Sequence, residues 1–399
     1  MKLTTALFAF SGLAGLALGK AVNQNIDDEL VVPNSYIIIY KSSVTPSDRK
    51  KHEEAITKKA KSNGKEGIIE TIEPDGFKGY IAKMTSSELK DVVNSDLVAS
   101  IERDTILNLT AVAAPSFGLL RKRAYTQQLN SPWGLARISQ RSNKRGLDAQ
   151  YYYDTATKAG INVYVLDTGI RTTHKEFSGR AVWGANFVPG SPNRDENGHG
   201  MHVAGTIGGK TFGVAKNCNL IAVKVCDKDG QTIASIGLQG LVKKSVINIS
   251  ITGDYSAAAN SFIKAATDAG LTIVVSAGNK GDDASFYSPS SAPSAITVGA
   301  SDADDWRTPW SNFGSSVDIF APGTGILSSW HLSDTSSRYL SGTSMAAPYV
   351  AGLAAYFLSN DRIEGYAAVT RRILDAAIKD SVIDAMGSSN RLAYNANGK

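Results

Sequence analysis

Ser344 lies in a motif that could present a nucleophile. Residues 340–348 (LSGTSMAAP) place this serine behind small residues, and residues 349–358 (YVAGLAAYFL) predict a buried helix that follows it. Ser344 would then occupy the first helical turn, where unpaired backbone N–H groups and the positive end of the helix dipole favour a developing oxyanion. The same position also suits a helix N-cap serine without any catalytic role.

An aspartate and two histidines precede this serine. Residues 161–166 (INVYVL) predict a buried strand that ends at Asp167, and open parallel sheets build their sites at the carboxyl ends of strands. Residues 195–206 (DENGHGMHVAGT) predict a polar loop that opens a helix, and they contain His199 and His202. A carboxylate, an imidazole and a hydroxyl brought together could activate the serine as a nucleophile.

Zinc binding is the alternative for the two histidines, because residues three apart share one helix face. Zinc proteases of the HExxH type have a glutamate directly after the first histidine, but Gly200 stands there and no third ligand is evident. The serine motif of α/β-hydrolases is also absent, since Ala346 replaces its last glycine and the order of the three residues differs.

The order Asp, His, Ser and the motifs around these residues resemble the subtilisin family, most closely its secreted, fungal-type, proteinase K-like branch. The resemblance extends over nearly all of residues 124–399. It implies that Ser344 is the nucleophile, that His199 is the general base, and that Asp167 orients the imidazole. The implied reaction is hydrolysis of peptide bonds through an acyl-enzyme, with polypeptides as substrates and no catalytic cofactor.

Two further segments resemble the family's substrate-binding elements. Strand 271–275 is followed by Ser-Ala-Gly-Asn, so the resemblance makes Asn279 the oxyanion-hole residue together with the Ser344 N–H. A second segment resembles one wall of the primary specificity pocket and is therefore expected to contact substrate; it consists of Ser250, Ile251, Thr252 and Gly253.

Three departures from the family pattern affect the expected activity. Met201 replaces the usual threonine between the glycine and the second histidine, and Thr252 replaces a glycine of the pocket wall. The stretch 230–246 is also shorter than in most relatives. These departures favour an alternative function, a catalytically weak or silent subtilisin-like protein that binds peptides.

Composition divides the chain into three segments. Residues 1–19 have a charged start, a short apolar stretch and small residues at the end, which predicts a signal peptide and a secreted, extracellular protein. Charged residues make up 30 of the 103 residues 21–123 but 47 of the 276 that follow. We therefore expect one domain over 20–123 and a catalytic domain over 124–399.

The first domain is predicted to be a small ferredoxin-like α+β unit. Strands near 36–40, 68–72, 80–84 and 98–101, with helices over 47–61 and after a capping box at Thr85, give the order β-α-β-β-α-β. This unit resembles the family's inhibitory propeptide, which makes the protein a zymogen with its own propeptide as a partner. An independent domain without a regulatory role is the alternative.

The junction 119–124 (LLRKRA) is a basic stretch that a protease could cut after Arg123. Cleavage by the enzyme itself and cleavage by a second protease both remain open, and the resemblance favours self-cleavage.

The catalytic domain is predicted to be α/β, with a parallel sheet covered by helices on both faces. Strands are expected to end near Leu166, Val225, Ile251, Val275 and Val298, and helices to follow His199, Ala234, Ser256, Thr343 and Tyr366.

Charge and cysteine content limit the partners. The formal net charge is +5, but the basic residues are scattered without aromatic residues between them, so no nucleic-acid partner is expected. No apolar stretch beyond the signal peptide is long enough to span a membrane, so no membrane partner is expected. The protein is expected to be a monomer. The only cysteines, Cys218 and Cys226, flank a predicted strand, which would hold their Cα atoms too far apart for a disulfide.

Two modifications are predicted. The resemblance implies a structural calcium ion bound by the carbonyls of Pro293 and Ala295 and the carboxylate of Asp318, although a plain surface loop is the alternative. Glycosylation is expected at Asn108, whereas the second matching motif, at Asn248, falls in a strand that should be buried.

Overall fold

The structure is a computed structural model, and it describes residues 31–62, 67–72, 78–108, 112–113, 126–143, 149–154, 160–233, 245–361 and 363–397. The predicted signal peptide, the basic junction at 119–124 and the helix expected after Ala234 lie outside these residues. Within the described residues, no helix is long and apolar enough to cross a membrane.

The N-terminal domain has the predicted β-α-β-β-α-β order. Its elements are β1 (Val31–Tyr40), α1 (Pro46–Ser62), β2 (Gly67–Ile72), β3 (Gly79–Lys83), α2 (Ser86–Val93) and β4 (Val98–Asn108), followed by the short β5 (Val112–Ala113). The strands form an antiparallel sheet in the order β4-β1-β3-β2. The predicted capping box is present at the start of α2, where Thr85 and Glu88 bond each other's backbone N–H groups.

The first half of the second domain supplies the strands and the helix that carry Asp167 and His199. Its elements are β6 (Gln127–Leu129), α3 (Trp133–Arg137), β7 (Gln150–Tyr152), β8 (Asn162–Asp167), β9 (Ala181–Asn186), α4 (His199–Gly208), β10 (Asn219–Lys224), β11 (Gln231–Ile233) and β12 (Val246–Ile249).

The second half completes the sheet and adds the helix that carries Ser344. Its elements are β13 (Gly253–Asp254), α5 (Ala257–Asp268), β14 (Thr272–Ser276), β15 (Tyr287–Ser288), β16 (Ile296–Ser301), β17 (Ile319–Pro322), β18 (Ile326–Ser329), β19 (Ser337–Ser341), α6 (Thr343–Asn360), α7 (Tyr366–Ala376), β20 (Ile378–Lys379) and β21 (Arg391–Leu392).

Nine strands form the central sheet in the order β20-β21-β17-β16-β14-β12-β8-β10-β9, and all neighbours are parallel except β20 and β21. One apolar core packs α4, α6 and α7 against one face, and a second core packs α5 against the other. The structure confirms the predicted sheet with helices on both faces. The edge strand β9 and the inner strand β17 were not predicted, because Gly184 interrupts the apolar residues of β9 and β17 has only four residues.

Both cysteines are buried and free, as expected from their separation across β10. Burial raises the pKa of the Cys218 thiol to about 12, so this thiol stays protonated near neutral pH. Asn248 is fully buried in β12, which agrees with its exclusion as a glycosylation site.

Candidate active site

Asp167 and His199 form a buried, hydrogen-bonded pair. Asp167 is the last residue of β8, and its two carboxylate oxygens accept hydrogen bonds from His199 Nδ1 at 2.8 and 2.9 Å. Both side chains are almost inaccessible to solvent. His199 Nε2 has no hydrogen-bond partner among the described residues. The carboxylate therefore fixes the imidazole with its second nitrogen available to accept a proton.

The loop before α4 is tied to β8 by a buried carboxylate, Asp195. One of its oxygens accepts hydrogen bonds from the Thr168 hydroxyl (2.8 Å) and from the N–H groups of Asn197 (3.0 Å) and Gly198 (2.7 Å). The other oxygen accepts from the Met201 N–H at 2.8 Å. Burial is the main cause that raises the pKa of Asp195. Asp195 thus caps the helix that presents His199.

Ser344 is the second residue of α6 and is fully buried. Its hydroxyl donates to the carbonyl of Ser250 at 3.1 Å, and the Ser250 hydroxyl donates to the carbonyl of Ser344 at 3.0 Å. Helices α4 and α6, which hold His199 and Ser344 in their first turns, pack against each other. The hydroxyl lies at the positive end of a helix of 18 residues.

Asn279 is held beside this helix start. Its side-chain oxygen accepts hydrogen bonds from the Thr343 N–H (2.8 Å) and the Thr343 hydroxyl (2.7 Å). Because these two hydrogen bonds fix the side-chain oxygen as the acceptor, the other end of the amide is the NH₂ group, which can only donate. Gly278 has φ +102°, a conformation that glycine adopts without strain and that turns the chain after β14.

The segment 250–253 lies between Ser344 and the chain that follows β14. Ile251 is buried in the apolar core, and Gly253 belongs to β13, which pairs with β15. The Thr252 hydroxyl is 3.2 Å from that of Ser276, and its methyl group lies against Gly278. Thr252 therefore bridges the two segments that end at Ser250 and Asn279.

His202 is held through one ring nitrogen by two backbone carbonyls. Its Nε2 is 2.9 Å from the carbonyl of Ile326 and 3.1 Å from that of Arg338, which requires an N–H at this nitrogen. Burial lowers the pKa of His202 to about 3. Among the described residues no three His, Cys, Asp or Glu side chains are grouped as metal ligands. The donor geometry at His202 does not support the zinc alternative.

Met201, the other unusual residue of this motif, is fully buried in the core beneath α4. The larger side chain is therefore accommodated without displacing His199 from Asp167.

The N-terminal domain pairs with two strands of the second domain, β11 and β19. Strand β4 pairs with β11 in antiparallel register, with Asn108 opposite Gln231. Strand β5 pairs with β19, with Val112 opposite Ser341, three residues before Ser344. Strand β5 of the N-terminal domain therefore pairs with the strand that leads into α6.

A helix cap adds to this contact. Glu102 of β4 accepts hydrogen bonds from the Ser256 hydroxyl (2.5 Å) and from the Ala258 N–H (2.8 Å) at the start of α5. A carboxylate at a helix N-terminus is favoured by the helix dipole.

The predicted calcium ligands converge, but a tyrosine hydroxyl bonds two of them. Tyr366 Oη donates to the carbonyls of Ala295 (3.1 Å) and Pro293 (3.4 Å). Asp318 accepts the Thr297 N–H at 2.8 Å, and burial raises the pKa of this carboxyl to about 6. Because the phenol oxygen lies within hydrogen-bond reach of both carbonyls, a calcium ion that bridged them from this side would have to displace it, and these residues do not fit the ion as they are arranged.

The sequence alone did not identify Asp195, Glu102 or Tyr366. Asp195 stands in a loop with Glu196 beside it, and nothing in the pattern shows which carboxylate turns inward. Glu102 and Tyr366 act on segments 154 and 71 residues away. Only the fold could reveal these contacts.

Comparison with known proteins agrees with this geometry. Residues 158–395 match the model of the Subtilase family, and residues 35–110 match that of Peptidase inhibitor I9.

Several fungal proteases are similar over almost the whole chain. Subtilisin-like protease 1 of Pseudogymnoascus destructans is 43% identical, over 92% of this chain and 90% of its own. Alkaline protease 1 of Aspergillus clavatus and a cuticle-degrading serine protease of Arthrobotrys oligospora are 39% and 37% identical, each over 98% of both chains. A solved structure of a cold-adapted subtilisin-like serine proteinase is 40% identical, with a TM-score of 0.63, and the match covers 67% of this chain and 98% of that one.

Proposed function

Because the chain belongs to the subtilase family and is a serine endopeptidase made as a zymogen, we propose that Asp167, His199 and Ser344 are its catalytic triad and that Asn279 completes the oxyanion hole. The observation that carries this assignment is the paired hydrogen bond from His199 Nδ1 to Asp167, which leaves Nε2 without a partner among the described residues. On this assignment the enzyme remains active in spite of Met201, Thr252 and the shortened stretch 230–246. The silent alternative expects these departures to abolish catalysis.

The proposed acylation step keeps His199 and Asp167 as they are oriented and needs one rotation, that of the Ser344 side chain. Rotation about the Cα–Cβ bond of Ser344 turns its hydroxyl from the Ser250 carbonyl towards His199 Nε2. The oxygen attacks the substrate carbonyl carbon while Nε2 takes the proton, and Asp167 stabilises the imidazolium. The Asn279 amide and the Ser344 N–H donate to the oxyanion. The C–N bond then breaks, and His199 returns the proton to the leaving amine.

Deacylation repeats these steps with water. His199 takes a proton from the water, whose oxygen attacks the acyl carbon, and the C–O bond to Ser344 breaks as the proton returns to the serine oxygen. The products are a carboxylic acid and the free enzyme, so no redox partner or cofactor is consumed.

Substitution of the serine tests the assignment. Ser344→Ala should lower kcat by about 10⁶-fold, the size of loss that a subtilisin shows, and Asn279→Leu by about 10²–10³-fold. Both are measured on a chromogenic peptide, and a serine-directed phosphonate should label Ser344 in the mature enzyme. Ser337→Ala, which alters an exposed serine of β19, is the control. A Ser344→Ala enzyme within tenfold of wild type would refute the mechanism.

We propose that the enzyme cuts its own chain between Asn108 and Val112, upstream of the predicted domain boundary at 123. The pairings of β4 with β11 and of β5 with β19 support this position, because they hold the chain just before and just after it, with Val112 opposite Ser341, three residues before Ser344. A cut at the basic junction would then be a later trimming step. Export by the predicted signal peptide at 1–19 and glycosylation at Asn108 are the remaining parts of this proposal.

The structural calcium ion implied by the family resemblance is the one part of the prediction that the donor chemistry does not support, because the Tyr366 hydroxyl bonds two of the expected ligands.

A further inference from the structure

The phenol of Tyr366 lies at the meeting point of three separate segments. Tyr366 is the first residue of α7, and its hydroxyl reaches the loop 293–295 that precedes β16. Burial is the main cause that raises the pKa of this phenol, and the nearby Asp318 carboxylate adds to the rise. The hydroxyl is therefore close to all three residues that were predicted to hold a cation.

The hydrogen bonds of Tyr366 use the oxygen atoms that a cation would need. Calcium binds six to eight oxygens at about 2.3–2.6 Å, mostly carboxylates, carbonyls and water. Here one O–H group donates to both the Ala295 and the Pro293 carbonyl, and Ala295 is buried. A cation bound by both carbonyls would have to occupy the space of the phenol oxygen.

One oxygen of Asp318 is also hydrogen-bonded without a cation. Its Oδ2 accepts the Thr297 N–H, and the positive charge of Arg391 lies close enough to favour the carboxylate form. The two carbonyls and one oxygen of Asp318 thus each accept a hydrogen bond within the protein.

We infer that the Tyr366 hydroxyl takes the place of a cation at the carbonyls of Pro293 and Ala295, so that a hydrogen-bonded phenol joins α7 to the loop before β16. The stability of this region is then independent of calcium. This inference does not depend on the proposed catalytic mechanism.

The experiment measures the melting temperature of the full chain in excess EDTA and in millimolar calcium. Every protein carries Ser344→Ala so that self-digestion does not distort the curves. The variants are Tyr366→Phe, which removes only the hydroxyl, and Tyr366→Ala, which empties the space beside the carbonyls. Tyr255→Phe removes a hydroxyl from an exposed tyrosine and is the matched control. Asp318→Asn is added to the parent protein and to each Tyr366 variant.

The parent chain should melt at the same temperature in EDTA and in calcium. Tyr366→Phe should melt about 2–4 °C lower in both, because a lost hydrogen bond shifts a domain of this size by that amount. Tyr366→Ala should melt lower still in EDTA and recover in calcium, because an ion that binds only the folded state stabilises it, and Asp318→Asn should remove the recovery. A parent chain that calcium stabilises through Asp318, or a Tyr366→Ala variant that calcium leaves unchanged, would each overturn the inference.

Discussion

A single buried carboxylate, Asp195, connects the strand that ends in Asp167 to the helix that begins with His199. It receives four hydrogen bonds, from the Thr168 hydroxyl and from three backbone N–H groups of the loop and α4. Thr168 in turn accepts the Gly200 N–H at 2.9 Å. Neither residue reaches the reacting atoms, so both act by positioning the imidazole.

We predict that Asp195→Asn and Thr168→Val each lower kcat by about 10²-fold with little change in KM, because small displacements of a catalytic group cost about this much. Thr168→Ser keeps the hydroxyl and should retain kcat within about threefold. Steady-state kinetics on a peptide substrate, with melting curves to confirm folding, make the measurement. If Thr168→Ser loses as much activity as Thr168→Val, the hydroxyl bond is not the cause.

Thr252 belongs to the segment that is predicted to form one wall of the specificity pocket. Because its hydroxyl is 3.2 Å from that of Ser276 and its methyl lies against Gly278, it bridges the two chain segments beside Ser344. We predict that Thr252→Gly raises kcat/KM by about 10–200-fold for substrates with a large apolar or aromatic residue before the cut. Small residues at that position should gain less.

A peptide library varied at this one position, tested against wild type and Thr252→Gly, measures the effect. Thr252→Ser keeps the hydroxyl, and Thr252→Val keeps the branched shape. The two variants therefore separate the effect of the hydroxyl contact with Ser276 from the effect of side-chain volume. Identical preference profiles for wild type and Thr252→Gly would show that residue 252 does not face the substrate.

At the scale of elements, two short strand pairings determine how the zymogen is expected to mature. Strand β4 ends at Asn108 against β11, and β5 begins at Val112 against β19, the strand that leads into the helix of Ser344. Glu102 holds β4 in place by capping α5. The N-terminal domain is therefore held against the second domain by β4 and β5, the two strands that precede and follow the proposed cut.

We predict that the first cut of the wild-type precursor falls between Asn108 and Val112 and that Ser344→Ala leaves this bond intact. Mass spectrometry of the N-terminus of each secreted protein tests the position. Lys122→Ala combined with Arg123→Ala removes the basic signal and should leave the first cut unchanged. A Ser344→Ala protein that is cleaved between 108 and 112 would show that another protease makes this cut.

For the whole molecule, the local patterns in the sequence were sufficient to predict the elements that carry chemistry. Buried strands such as β8 are continuous apolar runs, and the loop before His199 and the small residues around Ser344 each mark a helix start. The order of the three motifs then indicated the family, and with it the sheet and the inhibitory domain that the comparisons confirm.

Tertiary contacts were not predictable in the same way. Strand β17 joins the sheet although its few residues carry no clear period, because neighbouring strands satisfy its backbone. The calcium prediction did not anticipate Tyr366, since its hydroxyl reaches ligands about 70 residues away only after α7 has packed. Side chains that act across the fold leave no spacing signal in the chain.

Burial of His202 should make the stability of the whole domain sensitive to acid. Burial lowers the pKa of His202 to about 3 in the folded protein, against about 6.5 when unfolded. The unfolded chain therefore binds more protons between these two pH values. The contribution of the neutral imidazole to the free energy of unfolding is complete above pH 6.5 and is lost as the pH falls towards 3. Each pH unit in this window costs up to about 1.4 kcal/mol.

We predict that the free energy of unfolding of the full chain with Ser344→Ala falls between pH 6.5 and pH 4, and that it falls less steeply when His202→Gln is added. Urea titrations at pH 7, 6, 5 and 4 provide the comparison. The glutamine variant should be less stable at pH 7, because its shorter amide places a donor poorly against the Ile326 and Arg338 carbonyls. The gap between the two proteins should then narrow as the pH falls. Parallel pH profiles would show that His202 is not the group that makes the folded domain sensitive to acid.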